Sequence, residues 1–307
     1  MSEDVRDLIV VGGASAAQSA AIYASRSGVD VTVVADEYGG QLNNTEKVEN
    51  YLGFKSVSGP DLADRFLEHM RDYDVEEKTG YRVVDICRED GVFEVERSDG
   101  KVFRSHAVII ATGGHRRKLG VPGEEEFANK GVGYCAVCDG PLYQGDRVAV
   151  IGGGYAGTEA ADYLSDIAEK VFLLSRSGEL KGEHVTIEKV EEDENVEVIR
   201  EATAEEFYGD EFLEGVKYDH RGEMKELDVK AAFVEIGTVP NSDITDLVEK
   251  DESGRIKVNK EMETGVEGLY SAGDVNNRGV QQVQVSAGEG CQAGLNAADY
   301  VKKQKSG

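Results

Sequence analysis

The sequence predicts an α/β fold of two Rossmann-like dinucleotide-binding domains, the second inserted into the first. Three observations lead there. Residues 7–17, DLIVVGGASAA, run an apolar strand into a glycine turn. The same pattern returns in mid-chain at residues 147–157, RVAVIGGGYAG. A strand ending in aspartate, LYSAGDV (269–275), and a helix-like tail, VQQVQVSAGEGCQAGLNAADYV, then return the chain to the first domain. The expected boundaries are 1–114 and 238–307 for the first domain and 115–237 for the inserted one.

In the first unit AAQSAAIYASRSG has helical periodicity, and VDVTVVADE is the next strand. Strand, glycine turn, helix and strand place backbone N–H groups under a diphosphate. The match to G-x-G-x-x-G is imperfect: Gly12 stands, but Ala14 and Ala17 hold the second and third positions. Asp36, closing the second strand, is spaced to hold a ribose hydroxyl, and Glu37 fits almost as well. VIIATGG (108–114) is a further apolar strand ending in a small-residue turn. In the second unit Gly152, Gly154 and Gly157 satisfy the motif in full. TEAADYLSDIA continues as a helix and KVFLLSRSG as a strand. All of this falls within about 30 residues, the context that gives the motif its meaning.

The 307 residues suffice for two domains. No run of ~18 apolar residues occurs, so no membrane span is expected. The N-terminal MSEDVRDLIVVGG has no basic segment before its apolar stretch. It reads as a first strand and not a secretion signal, which makes a cytoplasmic location the expectation. Sixty Asp and Glu against 34 Lys and Arg leave a net charge of -26. Such a surface repels phosphate backbones and speaks against nucleic acid as a partner. The acids are spread along the chain, as in GEEEF and KVEEDENVEVI. This suits a solvated acidic shell in a high-salt cytoplasm, where ions screen the self-repulsion. The alternative is an acidic docking surface for a basic partner.

Two of the four cysteines stand in GYCAVCDGPLYQG, as Cys135 and Cys138 with Asp139 directly after. A C-x-x-C pair can grip a metal, form a structural crosslink, or shuttle electrons as a reversible disulfide. Cys87 and Cys291 lie in apolar or small-residue settings and are expected to be inert and buried.

The order and spacing of GGQL (39–42), VENYLGF (48–54), ATGGHRRKLGVPGE (111–124), CAVCDGPLY (135–143), GGGYAGTEAA (152–161), IGTVPNS (236–242) and AGDV (272–275) resemble the low-molecular-weight thioredoxin reductases over essentially the whole chain. CAVCDG just before the second glycine turn is specific; thioredoxin reductase-like ferredoxin–NADP reductases lack the pair. The resemblance implies FAD in the discontinuous domain, on the Gly12, Gly13, Ala14, Ser15, Ala16 and Ala17 turn, Asp36, Gly40, Gln41, Leu42, Asn50, Thr112, Gly113, Gly273, Asp274, Gln281, Gln282 and Val283. Tyr51 and Asn50 would face the flavin. It implies a nicotinamide nucleotide, NADPH or NADH, on Gly152, Gly154, Gly157, Glu159, Arg176 and Lys181. It also implies a redox-active disulfide. Cys138 would lie against the flavin, Cys135 would attack the thioredoxin-like substrate, and Asp139 would serve as acid–base, because the thiolate is the reactive form. A homodimer follows from the same resemblance. Zinc wants four ligands, and no second C-x-x-C or H-x-x-x-H exists, so no metal is expected.

The disulfide and nicotinamide site share the inserted domain, while the flavin belongs to the other. Both must reach the same part of the flavin, so the domains should rotate, with Gly113-Gly114 and Gly237-Thr238-Val239-Pro240 as hinge candidates. The chain departs from the family after the inserted domain's second strand. Ser175-Arg176-Ser177 and Lys181 stand where the family has His-Arg-Arg and a later arginine. Lysine lacks the guanidinium fork for a 2′-phosphate, and no acidic residue at the strand end marks NADH. The tail has Gln281-Gln282 where Arg-Gln is common. Two readings therefore accompany the reductase: the same chemistry fed by reduced ferredoxin or a deazaflavin, and a flavin redox sensor without steady turnover.

Overall fold

The computed structural model describes residues 5–45, 48–278 and 280–306. The chain forms two compact units, one of Met1–His115 with Val239–Gly307 and one of Arg116–Thr238. The first contains β1 (Arg6–Val11), α1 (Ser15–Arg26), β2 (Val31–Val34), α2 (Gly59–Arg71), β3 (Val75–Lys78), β4 (Val83–Glu89), β5 (Val92–Arg97) and β6 (Val102–Ile110). The chain leaves it along β7 (Gly114–Arg116). The second unit holds β8 (Val132–Gly133), α3 (Ala136–Asp139), β9 (Arg147–Ile151), α4 (Tyr155–Ser165), β10 (Lys170–Ser175), α5 (His184–Glu192), β11 (Val196–Arg200), β12 (Ala202–Gly209), β13 (Leu213–His220), β14 (Glu223–Asp228) and β15 (Ala231–Val234). The chain returns along β16 (Thr238–Pro240), and β17 (Leu269–Ser271) and α6 (Val283–Ser306) complete the first unit.

Among the described residues, seven strands of the first unit form one sheet in the order β3-β2-β1-β6-β5-β4 with β17 on β6. β6 is long enough to serve several neighbours. Its first half pairs antiparallel with β5 and its last residues parallel with β17. A strand covered on both faces reads as an unbroken apolar run, and β1 shows why. Leu8 and Val10 join the core under α1 and α6, while Ile9 and Val11 join the core on the opposite face. α6 lies close on α1: a Cβ at Gly290 would sit 2.1 Å from the Ala16 carbonyl oxygen, and one at Gly294 2.4 Å from that of Ala20.

In the second unit the described strands give a parallel sheet, β11-β10-β9-β15-β8, and an antiparallel one, β12-β13-β14. Alternation again divides the strands. Val148 and Val150 pack with Leu164 of α4, Val190 of α5 and Ala136 of α3. Ala149 and Ile151 pack with Phe207, Val216 and Leu227 of the antiparallel sheet. The short helix of the cysteine pair thus rests by Ala136 on the same face as the helix after the second glycine turn.

Candidate functional site

The two glycine turns are built alike. Gly12 has φ 131° and Gly152 φ 134°, backbone open to glycine and few others. A Cβ at Gly12 would lie 2.2 Å from the Ala111 carbonyl oxygen, and one at Gly152 2.3 Å from that of Glu235. Each turn therefore presses against the next strand, and only glycine permits it. α1 and α4 both begin without a side-chain cap, at Ala14 and Gly154, whereas Ser58 caps α2 by accepting from Asp61 N–H. Uncapped first-turn N–H groups beside a glycine turn are the donors an anionic diphosphate takes.

The first turn tolerates its alanines. Ala14 has φ -100° and ψ -171°, ordinary extended backbone. Ser15, Ala16 and Ala17 are buried in α1, and Gln18 beside them is buried with neither amide atom hydrogen-bonded. The Gly13 backbone meets the Glu37 carbonyl. Asp36 is exposed after β2. Gly40 approaches Ala14, and a Cβ there would be 3.0 Å from the Ala14 methyl. Gln41 Nε2 donates to the Gly114 carbonyl at 2.9 Å. Leu42 points into a small apolar cluster with Val48, Leu62 and Ala63, so any cofactor contact there would be through its backbone. Tyr51 packs against the same cluster with its ring centroid 5.2 Å from that of Phe66, and burial raises its phenol pKa.

Distant stretches of the first unit meet here. Asn50 Nδ2 donates to Gln282 Oε1 at 3.0 Å. Thr112 Oγ1 donates to the Asn241 carbonyl at 2.7 Å, and Asn241 answers through Nδ2 to the Thr112 carbonyl and N–H to the Gly113 carbonyl. Glu289 accepts from Gly273 N–H at 2.8 Å, and Ser286 Oγ donates to Asp274 Oδ1 at 3.1 Å. Val283 opens α6 and packs on the Leu42 cluster, and Gln281 precedes it partly buried. An uncapped helix, a close glycine turn, and polar groups from residues 50, 112, 274 and 282 within one unit fit an extended dinucleotide such as FAD.

In the second unit Gly157 is forced: its Cβ would lie 1.7 Å from the Gly152 carbonyl oxygen. Gly154 faces open space and Glu159 is exposed on α4. Lys181 N–H donates to the Gly153 carbonyl at 2.8 Å, which ties the 176–181 segment to the turn, while the side chains of Arg176 and Lys181 are exposed. Ser175 is buried, and its Oγ donates to the Ser177 carbonyl. The serines bond locally.

Cys135 and Cys138 are joined in a disulfide with Cα atoms 5.3 Å apart. Cys135 caps α3, its Sγ accepting from Cys138 N–H at 3.3 Å and its carbonyl from Asp139 N–H at 3.1 Å. The Asp139 carboxyl lies over Gly133, where an added Cβ would come within 3.2 Å of Oδ2. Behind α3 stands Glu235, its side chain 7 % exposed. Cys87 and Cys291 are only partly buried, not fully as expected; burial and the charges of Asp85, Glu94 and Glu89 raise the Cys87 thiol pKa.

The profile of the pyridine nucleotide-disulphide oxidoreductases matches residues 6–290. The chain belongs to that family. Among curated members it is similar to the F component of alkyl hydroperoxide reductase from Staphylococcus epidermidis, 39 % identical over 97 % of this chain and 60 % of that protein. It is also similar to a Bacillus subtilis protein named NADH dehydrogenase, 41 % identical over 96 % of this chain and 58 % of that one. The chain thus spans about 60 % of the length of these relatives. Among solved structures, thioredoxin reductase from Streptococcus pyogenes superposes with a TM-score of 0.87 at 31 % identity, covering 98 % of this chain and 100 % of that one.

Sequence reading passed over Glu235, Glu289 and Asn241. Glu235 left one signal, a lone charge in the apolar strand end AAFVEIG. Asn241 lies inside IGTVPNS. Nothing in GEGCQAG marks Glu289 as the residue that holds the aspartate turn.

Proposed function

We propose that this chain is an FAD-dependent thioredoxin-disulfide reductase. Electrons pass from a nicotinamide donor through FAD to the Cys135–Cys138 disulfide and on to a thioredoxin-type protein. The observation that carries the reading is that disulfide, set at the start of α3 in the unit that also bears the complete glycine motif. FAD, when bound in the first unit, supplies the two-electron relay. The chain's own residues do the rest. The α1 and α4 N-termini bind diphosphates, Asp274 and the Asn50–Gln282 pair orient the flavin end, and Asp139 exchanges protons with the opened cysteine pair. Cys135 attacks the partner disulfide and Cys138 resolves the mixed disulfide. Rotation about Gly113–Gly114 and residues 237–240 gives the flavin access in turn to disulfide and nucleotide. Gly113 and Gly237, with φ 64° and 95°, support hinges there. A cytoplasmic homodimer and a high-salt setting complete the reading; the net charge of -26 supports the latter.

Anaerobic titration of the flavin-loaded protein with NADPH and NADH, followed by turnover of excess thioredoxin by substoichiometric protein, tests it. Bleaching without thioredoxin reduction overturns the reductase. A second reading rests on Ser175 and Ser177, which stand where the resembled family has basic residues and whose hydroxyls donate locally to carbonyls. It keeps the disulfide chemistry but takes electrons from reduced ferredoxin or a deazaflavin, and slow bleaching by both nucleotides with fast bleaching by those donors selects it.

A further inference from the structure

Glu235 is a buried ionisable group to which the proposed reaction gives no task. It follows β15 directly, at the C-terminal end of the parallel strands, where the glycine turn after β9 and α3 after β8 both lie. Oε1 accepts from Ala136 N–H at 3.3 Å, and Oε2 stands 3.6 Å from Nη1 of Arg116. Ala136 is the residue next to Cys135 and the first of α3. The charged groups around the carboxyl are Arg116 from the crossing strand and Glu159 from α4; Asp139 ends α3 itself. Burial is the largest influence and raises the Glu235 pKa; Glu159 adds to that, while Arg116 and the Ala136 N–H oppose it. Arg116 and the Ala136 N–H are both donors, and a protonated carboxyl would set its own hydrogen against one of them. The partner set therefore suits the carboxylate.

We infer that Glu235 is a positioning residue that fixes the first turn of α3 and, as a buried anion beside the sulfur pair, keeps the Cys135–Cys138 couple strongly reducing. This rests on the proposed redox role of the pair. Thiolates are stabilised by free N–H groups at a helix start and by nearby cations. Glu235 takes the first of those N–H groups and adds a like charge where the thiolate would form. The neutral disulfide feels little of this, so the reduced form is selectively destabilised. A couple poised that way passes electrons outward, the reverse of oxidants whose reduced form is stabilised.

The test is equilibration of the flavin-loaded, full-length protein with dithiothreitol at graded ratios of its reduced and oxidised forms, because a strongly reducing pair resists glutathione. The protein disulfide and one dithiothreitol dithiol give the protein dithiol and one cyclic dithiothreitol disulfide, so two electrons and two protons move together. Acid quenching and maleimide labelling read the position by mass: Cys87 and Cys291 label always, and the opened pair adds two more. Glu235→Gln keeps the size and the acceptor for Ala136 but removes the charge. At pH 7 it should move the equilibrium about tenfold toward dithiol, or about 30 mV for a two-electron couple, and speed iodoacetamide capture of the reduced pair. Glu235→Asp, which keeps the charge, should stay within about threefold of wild type. A Glu235→Gln equilibrium within about twofold of wild type, or shifted toward disulfide, overturns the inference. If wild type opens and the shift appears but no thioredoxin is turned over, the reductase reading falls and this one stands. If the wild-type pair does not open even in excess dithiothreitol, both fall.

Discussion

Replacing Gly157 by alanine tests whether the second glycine turn is a rigid seat. Two effects oppose each other. A glycine-to-alanine change inside a helix gains at most about 1 kcal/mol, and less in the first turn. Against it, the new methyl would stand 1.7 Å from the Gly152 carbonyl oxygen, half the 3.4 Å at which ordinary contact begins. That oxygen is backbone in a turn already pressed on Glu235, so no side chain can swing aside. Overpacking costs about 1–3 kcal/mol, and a backbone clash belongs at the upper end. The net loss should be about 2 kcal/mol, a fall of roughly 4–8 °C in the melting temperature. The displaced α4 N-terminus should also weaken the dinucleotide about tenfold, the equivalent of about 1.4 kcal/mol. Calorimetry of the flavin-loaded protein and a NADH-dependent flavin-reduction titration measure both. Ala17→Gly is the control: it removes a buried methyl from α1, costs about 1 kcal/mol through helix propensity, and leaves NADH affinity alone. A Gly157→Ala protein that melts within about 1 °C of wild type and keeps its NADH affinity would refute the rigid seat.

Cys135→Ser and Cys138→Ser should each abolish thioredoxin reduction while FAD stays bound, since exchange needs both sulfurs; substantial activity in either variant defeats the assignment. The melting temperature should rise between dilute buffer and molar potassium chloride, where the Debye length shrinks to about 3 Å, and a flat response removes the high-salt reading. NADPH should not be strongly preferred over NADH, because a lost charge-assisted phosphate contact costs about 1.5–3 kcal/mol. A strong preference that disappears in Arg176→Ala would show that the 2′-phosphate is still read.

The parts legible in the sequence were those with a period or a rigid punctuation. Apolar runs such as LIVV and VAVI mark strands covered on both faces, and glycine before a helix marks the turns. The antiparallel sheet β12–β14 was not legible. Its buried residues alternate with acids, and bulges between Ala204 and Glu206 and between Tyr208 and Gly209 break the two-residue period. Glu235 and Glu289 were hidden for another reason. Among sixty acids Glu289 carries no mark until the Gly273 N–H is placed beside it, and the one mark on Glu235, its lone charge in AAFVEIG, gains meaning only beside the Ala136 N–H.

The pairing of β6 with β17, and of α1 with α6, has a consequence for synthesis. The inserted unit is continuous from Arg116 to Thr238, so its elements are all present before residues 239–307 are made. The discontinuous unit must wait: β6 lacks β17, and the backbone shelf on α1 lacks Gly290 and Gly294 of α6, until those later elements emerge. Closing that long a loop is entropically slow. During the wait the apolar side chains of α1 and β1 stand uncovered, which is when aggregation competes. Residues 116–238 can therefore assemble first, and the discontinuous unit, begun before them, is finished after them.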